Sequence, residues 1–112
     1  MAAFWTLKRN TDFRRLYYRG KSQAHPLLVT YVMKGRARQS RVGITASVKL
    51  GGAVRRNRAR RVISEAYRSL MPQNAGRYDI VFVARSRTLG AKSCDVARVM
   101  RAQLAALGVI RA

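Results

Sequence analysis

The sequence RVGITASVKLGGAVRRNRARRVISEAYRSL, residues 41–70, decides the fold of this chain. In its first part, Val42, Ile44 and Ala46 alternate with small or polar residues, the period-two pattern of a strand with one buried and one open face. From Val54 to Leu70 the apolar residues recur every three or four positions, and Pro72 follows. The stretch therefore predicts a β-strand followed by an amphipathic helix.

The residues before this stretch predict one helix and one further strand. Asn10 or Thr11 is expected to cap a helix that ends at Gly20. The run from Leu27 to Met33 is rich in β-branched and aromatic residues and is bounded by proline and glycine, which favours a strand. A basic turn from Lys34 to Arg38 is expected to follow that strand.

The residues after the stretch predict one strand and a last helix. Apolar residues alternate from Tyr78 to Arg85, which is typical of a well-buried strand. Ser93 is expected to cap a helix that ends at Gly108, and Cys94 is interpreted as a small buried residue near its start.

These elements follow the order α-β-β-α-β-α, with a fourth strand allowed before the central helix. The length of 112 residues suits one compact core and is short for two. We therefore expect a single RNA-binding domain over residues 1–112. Its fold class would be α/β, as an α+β sandwich in which helices pack on one small mixed sheet of about four strands.

The charge of the chain points to a polyanionic partner. The chain carries 24 Lys and Arg residues against 4 Asp and Glu, a formal net charge of +20. Arginine contributes 19 of these cations, and its planar fork binds phosphate bidentately and stacks on bases. The 48% hydrophobic content, arranged with clear periods, argues against a disordered basic tail. No apolar run approaches the roughly 20 residues that span a bilayer, so we expect a cytoplasmic protein without membrane contact.

The densest cationic feature lies at the start of the central helix. At about 100° per residue, its apolar residues occupy one side and its cations the other. A solvated helix face would mix charges of both signs, because like charges three or four positions apart repel. A DNA-reading basic region would continue into a dimerising heptad, whereas this helix ends before Pro72. Binding of RNA phosphates is therefore the favoured interpretation.

A second constellation is aromatic. Phe13 and Tyr17 share a helix face, and Tyr31 lies on a predicted strand. Aromatic rings beside cations can stack unpaired bases. The same helical spacing is equally typical of core residues, so spacing alone leaves both interpretations open.

Catalytic chemistry is poorly supplied. His25 is the one histidine, and the four acids are scattered at Asp12, Glu65, Asp79 and Asp95. No paired carboxylates and no Cys/His spacing for a metal are present in the sequence. We therefore predict no catalytic and no metal-ligating residue in this chain.

Residues 41–68 closely resemble the signature of the bacterial ribonuclease P protein component. The upstream pair Asp12-Phe13 with Tyr17 and Gly20, and the downstream strand from Tyr78 to Arg85, extend this likeness in the same order over most of the chain. Gly52 departs from the pattern, since the family commonly has Asn there. Tyr17 stands where many members carry Phe.

The resemblance implies two binding surfaces and one unusual topology. One surface, around the family's Arg-Asn-Arg element, would contact the catalytic RNA subunit. The other, a cleft between the first helix and the sheet, would hold the 5′ leader of precursor tRNA. The family also has a left-handed crossover between the strands that flank the arginine-rich helix, against the usual right-handed rule. The predicted catalytic-RNA-binding residues are Arg55, Arg56, Asn57, Arg58, Arg60, Arg61 and Arg68, and the predicted leader-binding residues are Phe13, Tyr17, Tyr31, Thr45, Ser47, Lys49 and Arg85.

The function implied by the resemblance is that of the non-catalytic subunit of an endoribonuclease. With the catalytic RNA it would remove 5′ leaders from precursor tRNA, and Mg²⁺ would serve the complex mainly through the RNA. No cofactor is expected to bind the protein tightly, and anions such as sulfate or phosphate are expected partners of the isolated chain. The alternative is a structural, ribosomal-type RNA-binding protein, which would share the charge without needing an open aromatic cleft.

Overall fold

The computed structural model describes residues 5–7, 9–35, 40–73 and 76–110. Residues 36–38 of the predicted basic turn lie outside this part of the chain, and Lys34 belongs to a strand. The helices are α1 (Asn10–Arg19), α2 (Ala53–Leu70) and α3 (Ser93–Ala106). The strands are β1 (Trp5–Thr6), β2 (Lys21–His25), β3 (Leu28–Lys34), β4 (Arg41–Thr45) and β5 (Tyr78–Ala84). Short 3-10 turns span Val48–Leu50, Met71–Gln73 and Ser86–Gly90.

The five strands form one mixed sheet in the order β1-β4-β5-β3-β2. The strands β4 and β5 are parallel neighbours, and β1 runs parallel to β4. The strand β3 is antiparallel to both β5 and β2. The expected α+β sandwich on a small mixed sheet is confirmed. The helix α2 forms the crossover between β4 and β5, and the handedness of this crossover stays a prediction.

No sequence pattern marked β1 or β2, although a fourth strand before the central helix was allowed. Four of the five residues of β2 are exposed, so the strand shows no alternation of buried and open positions. Pairing with β3 forms it, from Lys21 opposite Val32 to His25 opposite Leu28. As an edge strand it needs no apolar face of its own.

The core lies in two layers, one on each face of the sheet. On one face α2 and α3 cover Ile80 and Phe82, and the rings of Phe82 and Tyr67 pack with centroids 5.6 Å apart. On the other face α1 inserts Leu16 against Val81. Burying each such side chain contributes about 1.5–3 kcal/mol. The alternation of β5 thus serves both layers, as its sequence predicted.

The predicted helix stops are confirmed, but the predicted caps are wrong. Gly20 follows α1 directly, and Gly108 adopts a φ of +82° just beyond α3. The N-cap positions belong to Arg9 and Lys92, and neither side chain caps its helix. Each helix begins one residue earlier than its polar candidate requires, so Asn10 and Ser93 have helical backbone and cannot take the cap geometry.

The interpretation of Cys94 as a buried residue is also wrong, because the residue is exposed. The buried face of α3 is formed by Val96, Met100 and Leu104. Cys94 precedes Val96 by two positions, about 200° around the helix, and therefore lies on the opposite side.

Candidate nucleic-acid interface

An aromatic cluster lies where α1 meets the sheet, the place at which the resemblance implies a leader-binding cleft. Gly43, Val81 and Tyr31 are cross-strand partners on this face. A Cβ atom at Gly43 would lie 2.5 Å from Cζ of Phe13, so the absent side chain is what admits the Phe13 ring. Phe13 is therefore partly buried against the α1 core layer, together with Tyr31.

Tyr17 forms the open part of this wall. The residue is 42% exposed, and its hydroxyl lies 2.9 Å from Oγ1 of Thr45 in a hydrogen bond. The ring meets that of Tyr31 edge to face, with centroids 5.0 Å apart and planes at 79°. These two contacts hold the ring in place, while about two-fifths of the residue stays exposed. A fixed, accessible ring is suited to stacking an unpaired base.

An ionic network holds α1 on the sheet. The Asp79 carboxylate of β5 is fully buried and accepts hydrogen bonds from Nε and NH2 of Arg41 on β4, at 3.0 and 2.8 Å. Arg15 of α1 donates to the same carboxylate at 3.2 Å, and Asp12 lies 3.6 Å from Arg15 and 3.8 Å from Arg41. The hydrogen bonds to Asp79 raise the pKa of the Arg41 guanidinium, against a smaller opposing effect of burial. The network therefore joins α1, β4 and β5.

The other predicted leader-binding residues gather at the opposite end of the sheet. Because β4 and β5 are parallel, both run toward this end, where Thr45 pairs with Val83. Ser47 and Lys49 follow β4, and Arg85 follows β5. All three are exposed, and the backbone N–H of Arg85 donates to Thr88 Oγ1 at 3.0 Å. The structure therefore brings Tyr17, Tyr31 and Thr45 into contact, and sets the three remaining polar residues beside them at the end of the strands.

The predicted cations of α2 lie on the side opposite its buried stripe. Arg58 donates from Nε to the backbone oxygen of Leu89 at 3.1 Å, and Arg60 donates to Asn57 Oδ1 at 3.2 Å. Arg56 and Arg68 are partly buried. The exposed members of the set are Arg55, Asn57, Arg58, Arg60 and Arg61.

The start of α2 is open to an anion. Its N-cap, Gly52, offers no side-chain cap, so the first-turn N–H groups lack such a partner. A Cβ atom at Gly52 would meet nothing within 4 Å. The Asn that the resemblance leads one to expect at this position would therefore fit without a clash.

The acids and the histidine are dispersed. Asp12 and Asp79 belong to the ionic network, Asp95 lies 3.7 Å from Arg98, and Glu65 is exposed on α2. Among the residues that the structure describes, no three His, Cys, Asp or Glu side chains could jointly hold a metal ion. The sequence did not predict the ionic network. Its one signal was an acid, Asp79, among the apolar residues of a buried strand.

The chain is similar in sequence to known proteins along most of its length. The family model for Ribonuclease P matches residues 1–108. The ribonuclease P protein component of Clostridioides difficile is 46% identical over 91 residues, covering 80% of each chain. That of Alkaliphilus oremlandii is 38% identical over 96 residues, covering 86% of this chain and 84% of the relative.

Solved structures agree with these sequence relatives. The RNase P protein of Staphylococcus aureus superposes with a TM-score of 0.83 at 28% identity, covering 97% of this chain and 100% of that one. The RNase P protein of Thermotoga maritima gives a TM-score of 0.76 at 26% identity, covering 87% and 92%. No helix in the described ranges is long and apolar enough to cross a membrane.

The fold, with its aromatic cleft and arginine-rich helix, defines the class of small α+β proteins that serve tRNA processing. Within that class, this chain belongs to the ribonuclease P protein component family. The resemblance of residues 41–68 is thereby confirmed.

Proposed function

We propose that this chain binds the catalytic RNA of ribonuclease P through the outer face of α2 and the 5′ leader of precursor tRNA through the cleft beside α1. The complex would hydrolyse the phosphodiester bond that joins the leader to the tRNA. The RNA would carry the reacting groups, and the protein would supply binding energy and geometry.

The observation that carries the proposal is the Tyr17 ring. It is held by Thr45 and Tyr31, yet the residue as a whole is 42% exposed. A core ring would be covered, and a disordered surface ring would have no fixed partners. Stacking of one unpaired base on such a ring contributes about 1–3 kcal/mol. The 5′ leader is the unpaired part of the substrate.

The α2 face supports the assembly role. Five of the predicted residues are exposed on α2, four arginines and Asn57, and Glu65 is the acid of that helix. Unpaired first-turn N–H groups add to the attraction for phosphate at the helix start. Such a surface suits a folded RNA whose backbone runs across the helix.

The proposed non-catalytic role of the protein also rests on the contacts that its acids make. Asp79 and Asp12 accept contacts from Arg15 and Arg41, so their carboxylates are committed to holding α1. Mg²⁺ would act in the complex mainly through the RNA, as a counter-ion and as a Lewis acid at the scissile phosphate. No step of the proposed chemistry requires a proton transfer by this chain.

The experiment that tests the proposal compares precursor and mature tRNA in the reconstituted complex. The protein should increase the affinity for precursor over mature tRNA, and Tyr17→Ala should reduce that preference. A structural, ribosomal-type protein would stabilise the folded RNA equally for both ligands. An unchanged ratio in a folded Tyr17→Ala variant would contradict the leader cleft.

A further inference from the structure

A basic groove lies at the end of the sheet where Thr45 pairs with Val83, beyond the predicted leader-binding residues. The turn between β2 and β3 carries His25, which pairs with Leu28, and Leu28 pairs in turn with Ala84 of β5. Arg85 follows Ala84 directly. The β2–β3 turn and Arg85 therefore share one end of the sheet with Thr45.

Two adjoining cavities connect this turn to α3. The first, of about 310 Å³, is lined by His25, Arg85 and Arg87, among others. The second, of about 710 Å³, is lined by His25, Arg87 and Arg98, among others. Since both cavities include His25, Ser86 and Arg87, they form one groove that leads from Arg85 to the first turns of α3.

The same groove approaches the start of α2. A third cavity, of about 560 Å³, is lined by Lys49, Arg55 and Arg58 and also includes Ser86. Ser86 is thus common to all three cavities. The cavity at the start of α2 therefore adjoins the other two at Ser86.

The charge of this groove is almost entirely positive. Arg85, Arg87 and Arg98 are exposed, and Asp95 is the one acid among the residues that line the two cavities. Asp95 lies 3.7 Å from Arg98, whose side chain is 81% exposed, and a surface pair of this kind contributes at most about 1 kcal/mol. Cations that lie close together repel one another unless an anion binds between them. The groove therefore suits a phosphate backbone.

His25 adds a hydrogen-bond donor to this groove. Its Nδ1 accepts the backbone N–H of Leu27 at 3.0 Å, so that nitrogen carries no proton. The ring proton is then on Nε2, for which no hydrogen bond occurs within the described residues. An imidazole N–H at the wall of a basic groove can donate to a phosphate oxygen or a ribose hydroxyl.

We propose that His25, Arg87 and Arg98, here named the basic rim, bind the sugar–phosphate backbone of the precursor's unpaired leader as an extension of the cleft. The proposal rests on the proposed function, because it assigns part of the same leader to a second set of residues. A single strand fits better than the folded catalytic RNA, because the groove begins at Arg85, one of the predicted leader-binding residues.

A series of precursor tRNAs with leaders lengthened one nucleotide at a time tests the basic rim. Affinity for the reconstituted complex is measured for the unaltered protein and for the double variant Arg87→Ala, Arg98→Ala. Arg101→Ala combined with Arg77→Ala is the matched control, since these exposed arginines line none of the three cavities and also remove two charges. Beyond one leader length, the rim variant should bind roughly tenfold more weakly than the control, and its salt dependence should flatten by about 0.7 per lost phosphate contact.

His25→Asn tests the donor separately. The Asn Oδ1 can accept the Leu27 N–H as His25 Nδ1 does. The turn is therefore kept, while the donor at the position of Nε2 is lost. We expect a roughly threefold loss of affinity, confined to the leader lengths that the arginine variant affects.

The outcomes separate the basic rim from the proposed function. Tyr17→Ala should weaken precursors at every leader length that reaches the ring, so an effect of Tyr17→Ala without any effect of the rim variant would overturn the rim alone. Equal losses for precursor and mature tRNA would place the rim against the tRNA body and overturn it. A loss confined to assembly with the catalytic RNA would overturn it in favour of that partner.

Discussion

The Arg41 guanidinium on β4 donates two hydrogen bonds to the buried Asp79 carboxylate on β5, through Nε at 3.0 Å and NH2 at 2.8 Å. Arg15 of α1 donates to the same carboxylate. The contact therefore has two consequences. The Arg41 guanidinium neutralises the buried Asp79 carboxylate, and the Arg15 hydrogen bond holds α1, the helix that carries Tyr17, on the sheet.

Removal of Arg41 should destabilise the fold strongly. In the Arg41→Ala variant Asp79 remains buried and keeps, among the described residues, Arg15 as its side-chain donor; breaking a buried pair in this way costs about 3–5 kcal/mol. Urea unfolding followed by circular dichroism measures the loss. Asp95→Ala, which removes the exposed pair with Arg98, is the control and should change stability by less than about 1 kcal/mol. Equal losses in both variants would contradict the structural role of Asp79.

Sulfate should stabilise the isolated protein more than chloride does at equal ionic strength. Net repulsion among the +20 charges is relieved when an anion occupies a discrete phosphate site, such as the start of α2. Thermal midpoints in the two salts measure the difference. If the two salts raised the midpoint alike, general screening would explain the effect and discrete anion sites would be excluded.

Tyr17→Ala should weaken binding of precursor tRNA by about 1–3 kcal/mol, because the stacking surface is lost. Mature tRNA should bind as before. Tyr17→Phe keeps the ring and removes only the hydrogen bond to Thr45, so it should retain most of the precursor affinity. Loss of precursor affinity in Tyr17→Phe equal to that in Tyr17→Ala would show that the hydroxyl matters and the ring does not.

Phe13→Ala gives a different expectation from the leader-binding role that the resemblance implies. The ring lies against Gly43 and the α1 core layer, so its removal should lower stability by about 3 kcal/mol, as for other buried rings. Unfolding and precursor binding are measured on the same preparation. A variant of full stability with weakened leader binding would show that Phe13 acts as a ligand platform.

Arg58→Ala with Arg61→Ala should weaken assembly with the catalytic RNA. Each lost phosphate contact should reduce the salt dependence by roughly one unit. Arg77→Ala with Arg101→Ala removes the same charge from exposed positions outside α2 and serves as the control. The preference for precursor over mature tRNA should survive in complexes that still form. A matching loss in the control would show that net charge alone drives assembly.

The single-turnover cleavage step should be nearly unchanged in Glu65→Ala at saturating protein. Glu65 is the acid of the α2 face and, among the described residues, takes no part in the ionic network around Asp79. Rates are measured with excess complex over precursor tRNA. A fall of about 10³ in a folded variant is the size expected for a lost catalytic group and would overturn the non-catalytic assignment.

The sequence by itself determined the features that depend on local periodicity and charge. The alternation of β5 and the helical spacing of α2 predicted which faces are buried, and the crowding of arginines predicted an anionic partner. These patterns are readable because burial repeats with the period of each element. Resemblance then supplied the family, which sequence relatives and solved structures confirm.

Only the tertiary structure decided the contacts between residues distant in the chain. Arg41 and Asp79 are 38 positions apart, and Tyr17 and Thr45 are 28 apart, so strand register and the packing of α1 bring each pair together. The edge strand β2 was missed because backbone pairing, and no apolar pattern of its own, forms it. The basic rim likewise arises where a strand turn, a 3-10 turn and α3 meet. A one-dimensional pattern records how one element is buried, whereas topology determines which elements become neighbours.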